Sequence, residues 1–179
     1  MSKAVLISIR PKWCEKIVSG EKTIEVRKTR PKLETPFKCY IYCTKDGDPR
    51  RLVGARGKVI GEFVCDKMYK IERDIYPEQG IFFDEIGAFS FRVPMLSDTC
   101  LKEEEIGEYM KGCEGYGWHV SDLKIYDTPR ELDDFRRVCK NDWWCESCAM
   151  YCEHNGICGN GSLQIRRPPQ SWCYVEELP

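Results

Sequence analysis

The sequence predicts an α+β fold, a small mixed β-barrel with flanking helices. Three observations point there. Short runs of alternating or continuous apolar residues recur between turn-rich segments, the pattern of short strands. Only two or three windows carry helical spacing with recognisable start and stop signals. The length of 179 residues fits one domain, or one domain with a small appendage, and suffices to bury a core. Apolar residues make up 42% of the chain and charged residues 32%, which excludes a disordered or membrane-embedded chain.

The elements follow in order. Ala4–Ile9 reads as a short buried strand. Pro11 suits the first turn of a helix, Trp13, Cys14, Ile17 and Val18 give it an apolar stripe, and Gly20 is a natural stop. Lys22–Lys28 alternates as a half-buried strand, with Ile24 and Val26 on one face and Thr23, Glu25 and Arg27 on the other. Lys38–Thr44 and Lys58–Cys65 read as two further strands around the turn-rich, basic stretch Asp46–Gly57. Residues 66–97 give no clear periodicity. Leu101–Lys111 reads as a helix and Trp118–Tyr126 as a strand. Thr128-Pro-Arg-Glu131 has the form of a capping box opening a helix to about Val138. Leu163–Arg166 and Cys173–Glu177 read as closing strands, with a bend at Pro168-Pro169.

Charge is unevenly spread. Residues 1–60 hold 15 Lys/Arg and 6 Asp/Glu, whereas residues 61–179 hold 13 and 23. A basic first third suits a polyanion; alternatively the two parts neutralise each other once folded. The apolar stretch Ala4–Ile9 is short for a secretory leader and no run approaches a membrane span, so a cytoplasmic location and no membrane partner are expected. Thiols stay reduced there. The 12 cysteines are then buried small side chains or metal ligands rather than a disulfide framework.

Five of them crowd into Cys139–Asn160, as Cys139, Cys145, Cys148, Cys152 and Cys158. Thiolates so spaced converge on one metal with little ordering of the chain, and a short lobe without a core gains its folding energy from the metal. The expected ligands of a structural zinc are Cys145, Cys148, Cys152 and Cys158, with Cys139 in reserve; an iron–sulfur cluster and a metal-free loop are the alternatives. The domain plan is therefore a barrel from residues 1–138 and 161–179, and a metal-knuckle-like insertion at 139–160 that offers a surface to a protein partner.

The block Ile7-Ser-Ile-Arg-Pro11 followed by Ser19-Gly-Glu-Lys-Thr-Ile-Glu-Val-Arg27 resembles the ASCH family, named for activating-signal-cointegrator homology, whose pattern is G-x-K-x-x-E-x-R. Gly20, Lys22, Glu25 and Arg27 match it. Gly117–Tyr126 and Pro168–Glu176 are similar to segments of small bacterial and phage-borne members. The resemblance implies a PUA-like barrel with a cleft beside the motif, taking RNA or a modified nucleobase, nucleoside or nucleotide. It also implies an alternative, a small hydrolase like the family's N4-acetylcytidine amidohydrolase branch or its ribonuclease-like members. Glu25 stands where that amidohydrolase branch carries its threonine nucleophile.

In residue terms, Arg10, Lys22, Glu25, Arg27, Trp118, His119 and Trp172 are the expected ligand-binding set. Lys22, Glu25 and His119 are the expected catalytic set, should the chain be an enzyme. A lysine is a flexible point charge and a candidate base or nucleophile. Histidine exchanges protons near neutral pH, and tryptophan stacks on bases. The plain reading of the same residues is a structural Glu–Lys–Arg network, a satisfied histidine and aromatic core.

Overall fold

The structure, a computed structural model, describes residues 2–47, 50, 52, 54–73, 80–87, 95–111, 114–139 and 163–178. The elements run β1 (Lys3–Ile9), α1 (Pro11–Val18), β2 (Ile24–Arg27), β3 (Phe37–Cys43), β4 (Val59–Cys65), β5 (Met68–Arg73), β6 (Ile81–Glu85), α2 (Leu96–Thr99), α3 (Glu103–Met110), β7 (Gly115–His119), β8 (Ser121–Arg130) and β9 (Trp172–Glu176). The strands form two sheets, one of order β8-β4-β3-β1-β9 and one of order β2-β7-β5-β6. This is a strand-rich α+β fold of two sheets.

β1 is the spine of the larger sheet, parallel to β3 and antiparallel to β9. Its near-continuous apolar run reflects burial on both faces. Val5, Ile7 and Ile9 pack with Phe37, Phe63, Met68 and Trp118 in a central cluster, while Ala4 and Leu6 face Tyr40, Phe135 and Val175 behind it. A third cluster, of Ile24, Val26, Ile71, Phe83, Ile106 and Met110, seats α3 on the smaller sheet. Fully burying each such aliphatic side chain contributes about 1.5–3 kcal/mol.

Several expectations are corrected. The stretch Trp118–Tyr126 is not one strand. β7 ends at His119 and pairs in the smaller sheet; β8 begins at Ser121 and pairs with β4 in the larger. The switch is made at Val120, whose N–H donates to the Thr23 carbonyl at 2.8 Å, and at Asp122, with φ 46°. No helix starts at Thr128. β8 continues through Thr128-Pro129 to Arg130 because it lies at a sheet edge, where a missing N–H costs no ladder bond. Only a 3₁₀ turn, Leu132–Asp134, follows; the Glu131 N–H donates to the Asp134 carboxylate at 3.1 Å. Leu163–Arg166 forms no strand, only a single bridge from Gln164 to Arg136. The region left open, 66–97, supplies β5, β6 and the start of α2. The cysteine-rich segment 140–162 lies outside the described residues. Among the described residues, no helix is long and apolar enough to cross a membrane.

Candidate functional site

The motif strand is positioned from both ends. Gly20, with φ 76°, ends α1 in the left-handed region that favours glycine, and the chain turns into β2. β2 then presents Ile24 and Val26 to the α3 cluster and turns Glu25 and Arg27 the other way. The expected half-buried strand is in fact buried along its whole length, charged residues included.

Burial forces those charges to find partners, and they do so in one network. The Lys22 Nζ donates to the Thr99 carbonyl at 2.7 Å and to the Ile24 carbonyl at 2.8 Å, and lies 3.4 Å from a Glu25 oxygen. Glu25 Oε1 meets the Arg27 guanidinium at 3.0 Å. Arg27 also donates to the Ser8 carbonyl at 2.5 Å and reaches Ser171 Oγ at 3.4 Å. Side-chain exposure is 2% for Lys22, 7% for Glu25 and 9% for Arg27. An ammonium has three donors, and those of Lys22 are taken up by two carbonyls and a carboxylate. It holds α2 to β2 and lies against Glu25. The Arg27 Nε is the exception, buried without a hydrogen-bond partner among the described residues.

This network forms the floor of a cleft of about 350 Å³. Ser8 and Arg10 enter from β1 and its end, Thr44 and Asp46 from the end of the neighbouring parallel strand β3. Trp13 of α1, Glu105 and Tyr109 of α3, and Gln170 complete the walls. Ionic lining residues balance, with Arg10, Lys22 and Arg27 against Glu25, Asp46 and Glu105. Thr44 Oγ1 is a second buried polar atom without a partner among the described residues. Behind the wall, a hydrogen bond between Cys14 and Cys43 pushes the Cys14 thiol far up, with burial adding to the rise, and pulls the Cys43 thiol down against the opposing effect of burial.

Of the expected ligand-binding set, the cleft gathers Arg10, Lys22, Glu25 and Arg27. Trp118 lies opposite Glu25 in the β2–β7 pairing and is wholly buried, edge-on to Phe37 at 6.0 Å and to Trp172 at 5.9 Å. It is core and cannot stack on a base from there. Trp172 is half-buried and donates its indole N–H to Thr29 Oγ1 at 3.0 Å, outside the cleft lining. His119 lies opposite Ile24, on the other face of the strand pair from Glu25. Its Nδ1 meets Asp66 Oδ1 at 2.6 Å. Burial alone would raise the Asp66 carboxyl, but its hydrogen bonds with His119 and Ser121 and the His119 charge outweigh this and hold it below its ordinary value. The expected grouping of Lys22, Glu25 and His119 is therefore not assembled in the cleft.

Sequence reasoning missed Ser8, Thr44, Asp46, Glu105, Tyr109 and Gln170, which reach the cleft from distant parts of the chain. Among the described residues no group of three or more His, Cys, Asp or Glu side chains is placed to hold a metal ion. Cys145, Cys148, Cys152 and Cys158 lie outside the described residues; Cys139 is half-buried.

Comparison with known proteins agrees with this architecture. No curated protein matches the chain. The crystal structure of an ASCH protein from Zymomonas mobilis superposes with a TM-score of 0.58 at 18% identity, covering 97% of this chain and 88% of that one. A serine-to-alanine variant of the Zymomonas mobilis protein gives 0.55 at 18% identity, covering 97% and 89%. At such identity the likeness speaks for the fold alone. The family model of the ASCH domain matches residues 7–89, which take in the end of β1, the motif strand and the cleft walls through Asp46. Residues 7–89 of the chain thus match the model of the ASCH domain, and the solved ASCH structures share its fold.

Proposed function

We propose that the cleft binds a nucleobase or nucleoside, free or as one unit of an RNA chain. The observation that carries this reading is the Arg27 Nε–H, a buried donor at the cleft floor with no partner among the described residues. Buried donors are almost always satisfied, so an orphan directly beneath a polar cleft is a donor free for a ligand acceptor once the Arg27 side chain turns toward it. Beside it, Glu25 keeps lone pairs beyond those used by Lys22 and Arg27, and accepts from a ligand N–H. Acceptor and donor side by side are what a nucleobase edge offers. The volume lies within the ordinary range for small-ligand pockets, and the balanced charge of the lining suits a neutral polar heterocycle better than a bare polyanion. The ASCH match of residues 7–89 supports the same reading.

Calorimetric titration with the four ribonucleosides and their free bases tests it. One base is expected to bind, and Arg27→Lys, which lacks the planar fork, is expected to weaken it by at least about tenfold, the worth of one charged hydrogen bond. Circular dichroism checks that the variant stays folded. Absence of binding by every nucleoside and base would overturn the proposal.

We also propose, on sequence spacing alone, that the lobe at 139–160 takes one structural zinc through Cys145, Cys148, Cys152 and Cys158. Elemental analysis of reduced, unchelated protein should find about one zinc per chain. A content well below that removes the proposal.

A further inference from the structure

We propose that Tyr109 is the stacking platform of this cleft, with the base of the ligand lying flat against its ring. The inference rests on the base-binding reading above, which concerns the edge of the base, and names the side chain that takes its face.

α3 uses two faces. Ile106 and Met110 are buried and seat the helix on the smaller sheet. Glu105 and Tyr109, four residues apart, share another face, and both line the cleft. Glu105 has a structural task there, since its carboxylate accepts the Lys102 N–H at 2.8 Å at the start of the helix. Tyr109 adds nothing comparable to the core. It is 41% exposed, and no other aromatic ring among the described residues is classed as exposed. Single apolar side chains on an outer surface are ordinary. An exposed ring in the wall of a polar cleft offers a flat, apolar π-face to whatever enters, and every base has a π-face to match it.

The ring's surroundings fit that use. The Lys28 Nζ lies 5.1 Å from its centre. Lys28 directly follows β2 and is not part of the cleft lining, so the cation meets the ring from outside and leaves its cleft side open. Attraction between cation and ring holds the phenol in place before a ligand arrives. The other aromatic side chains are less suited. Trp118 is wholly buried, and Trp172 lies outside the lining. Trp13 does line the cleft, but it packs against the central cluster and has the Lys12 and Lys22 ammonium groups 4.3 and 5.3 Å from its ring. Tyr109 thus supplies affinity through the face of the base, while Glu25 and Arg27 read its edge.

The test titrates the preferred nucleoside into the wild type and into Tyr109→Phe, Tyr109→Leu and Tyr109→Ala by calorimetry, with a urea midpoint for each protein. Tyr109→Phe keeps the ring and is expected to bind within about twofold of the wild type. Tyr109→Leu keeps apolar cover without a π-face, and Tyr109→Ala removes both. Each should weaken binding by at least about fivefold, the lower end of what one base–aromatic stack contributes. Should the midpoint of Tyr109→Ala fall, the comparison of Leu with Phe decides. Wild-type affinity in Tyr109→Ala overturns the stack and leaves base binding intact. So does a Leu variant that binds as well as Phe, because cover rather than a π-face would then suffice, and so does a Phe variant as weak as Ala, because the hydroxyl would then be the contact. Binding of no nucleoside by the wild type overturns the stack together with the base-binding reading.

Discussion

The Lys22–Glu25–Arg27 network and the Asp66–His119 pair sit on adjacent strands, since Glu25 lies in β2 and His119 in β7. Both are ionic, yet their surroundings differ. In the network, side-chain exposure is 9% or less at every member. Asp66 and His119 are 38% and 29% exposed. A buried charge without its partner is penalised by several kcal/mol, whereas a half-exposed pair exchanges protein contacts for water at little cost. The network is therefore a single unit in which each charge exists because the others do. The pair is a local tie. It links two turns, the Asp66-Lys67 turn between β4 and β5 and the Val120 switch between β7 and β8, each of which crosses from one sheet to the other.

The largest effect should come from breaking the network in its middle. Glu25→Ala leaves an ammonium and a guanidinium facing each other in the dark, and should destabilise the protein by about 3–5 kcal/mol. Urea unfolding followed by fluorescence measures it. A loss of less than about 1 kcal/mol would mean that the network is effectively solvated, and the contrast with Asp66–His119 would collapse.

A smaller effect of opposite sign is expected at Thr44. Its Oγ1 is buried without a partner among the described residues, and the residue lines the cleft. Thr44→Val keeps the shape and removes the unsatisfied hydroxyl, so it should stabilise the free protein by about 1 kcal/mol. If the hydroxyl serves a ligand, the same change weakens nucleoside binding in the titrations above. Greater stability with unchanged affinity would place Thr44 outside the binding surface.

Local pattern explains which parts of this architecture were legible in the sequence. β1, α1, β3, β4 and α3 show in apolar periodicity with stop signals, because each signal is complete within its own segment. The spacing of Lys22, Glu25 and Arg27 on one strand face marked a site wall, and the cleft floor is built there. Ser8, Thr44 and Gln170 carried no signal, since only the pairing of β1 with β3 and the return of the chain before β9 bring them together. The split of β7 from β8 was equally hidden, as the alternation continues while the partner sheet changes. One signal was present and unused. Trp118 and His119 are consecutive on a strand and so face opposite ways; they could not both join Glu25.

The smallest effect belongs to the Asp66–His119 pair, and pH gives its sign. Hydrogen bonds and the His119 charge hold the folded Asp66 carboxyl below its ordinary value despite the opposing effect of burial. A group whose folded pKa is depressed contributes stability above its unfolded pKa and loses it as pH falls through the folded one. Asp66→Asn should therefore cost less than about 1 kcal/mol near pH 7, as a half-exposed pair does. The gap between wild type and variant should begin to narrow as the pH drops below about 4, the ordinary value of an aspartate, and close only below the depressed folded value, where the wild-type carboxyl is protonated as well. Urea midpoints for both proteins between pH 3 and pH 7 measure this directly. A cost at pH 7 as large as that of Glu25→Ala would show that the turns joining the two sheets depend on this tie as heavily as the cleft floor depends on its network. A gap as wide at pH 3 as at pH 7 would show that the amide fails for reasons of shape rather than charge.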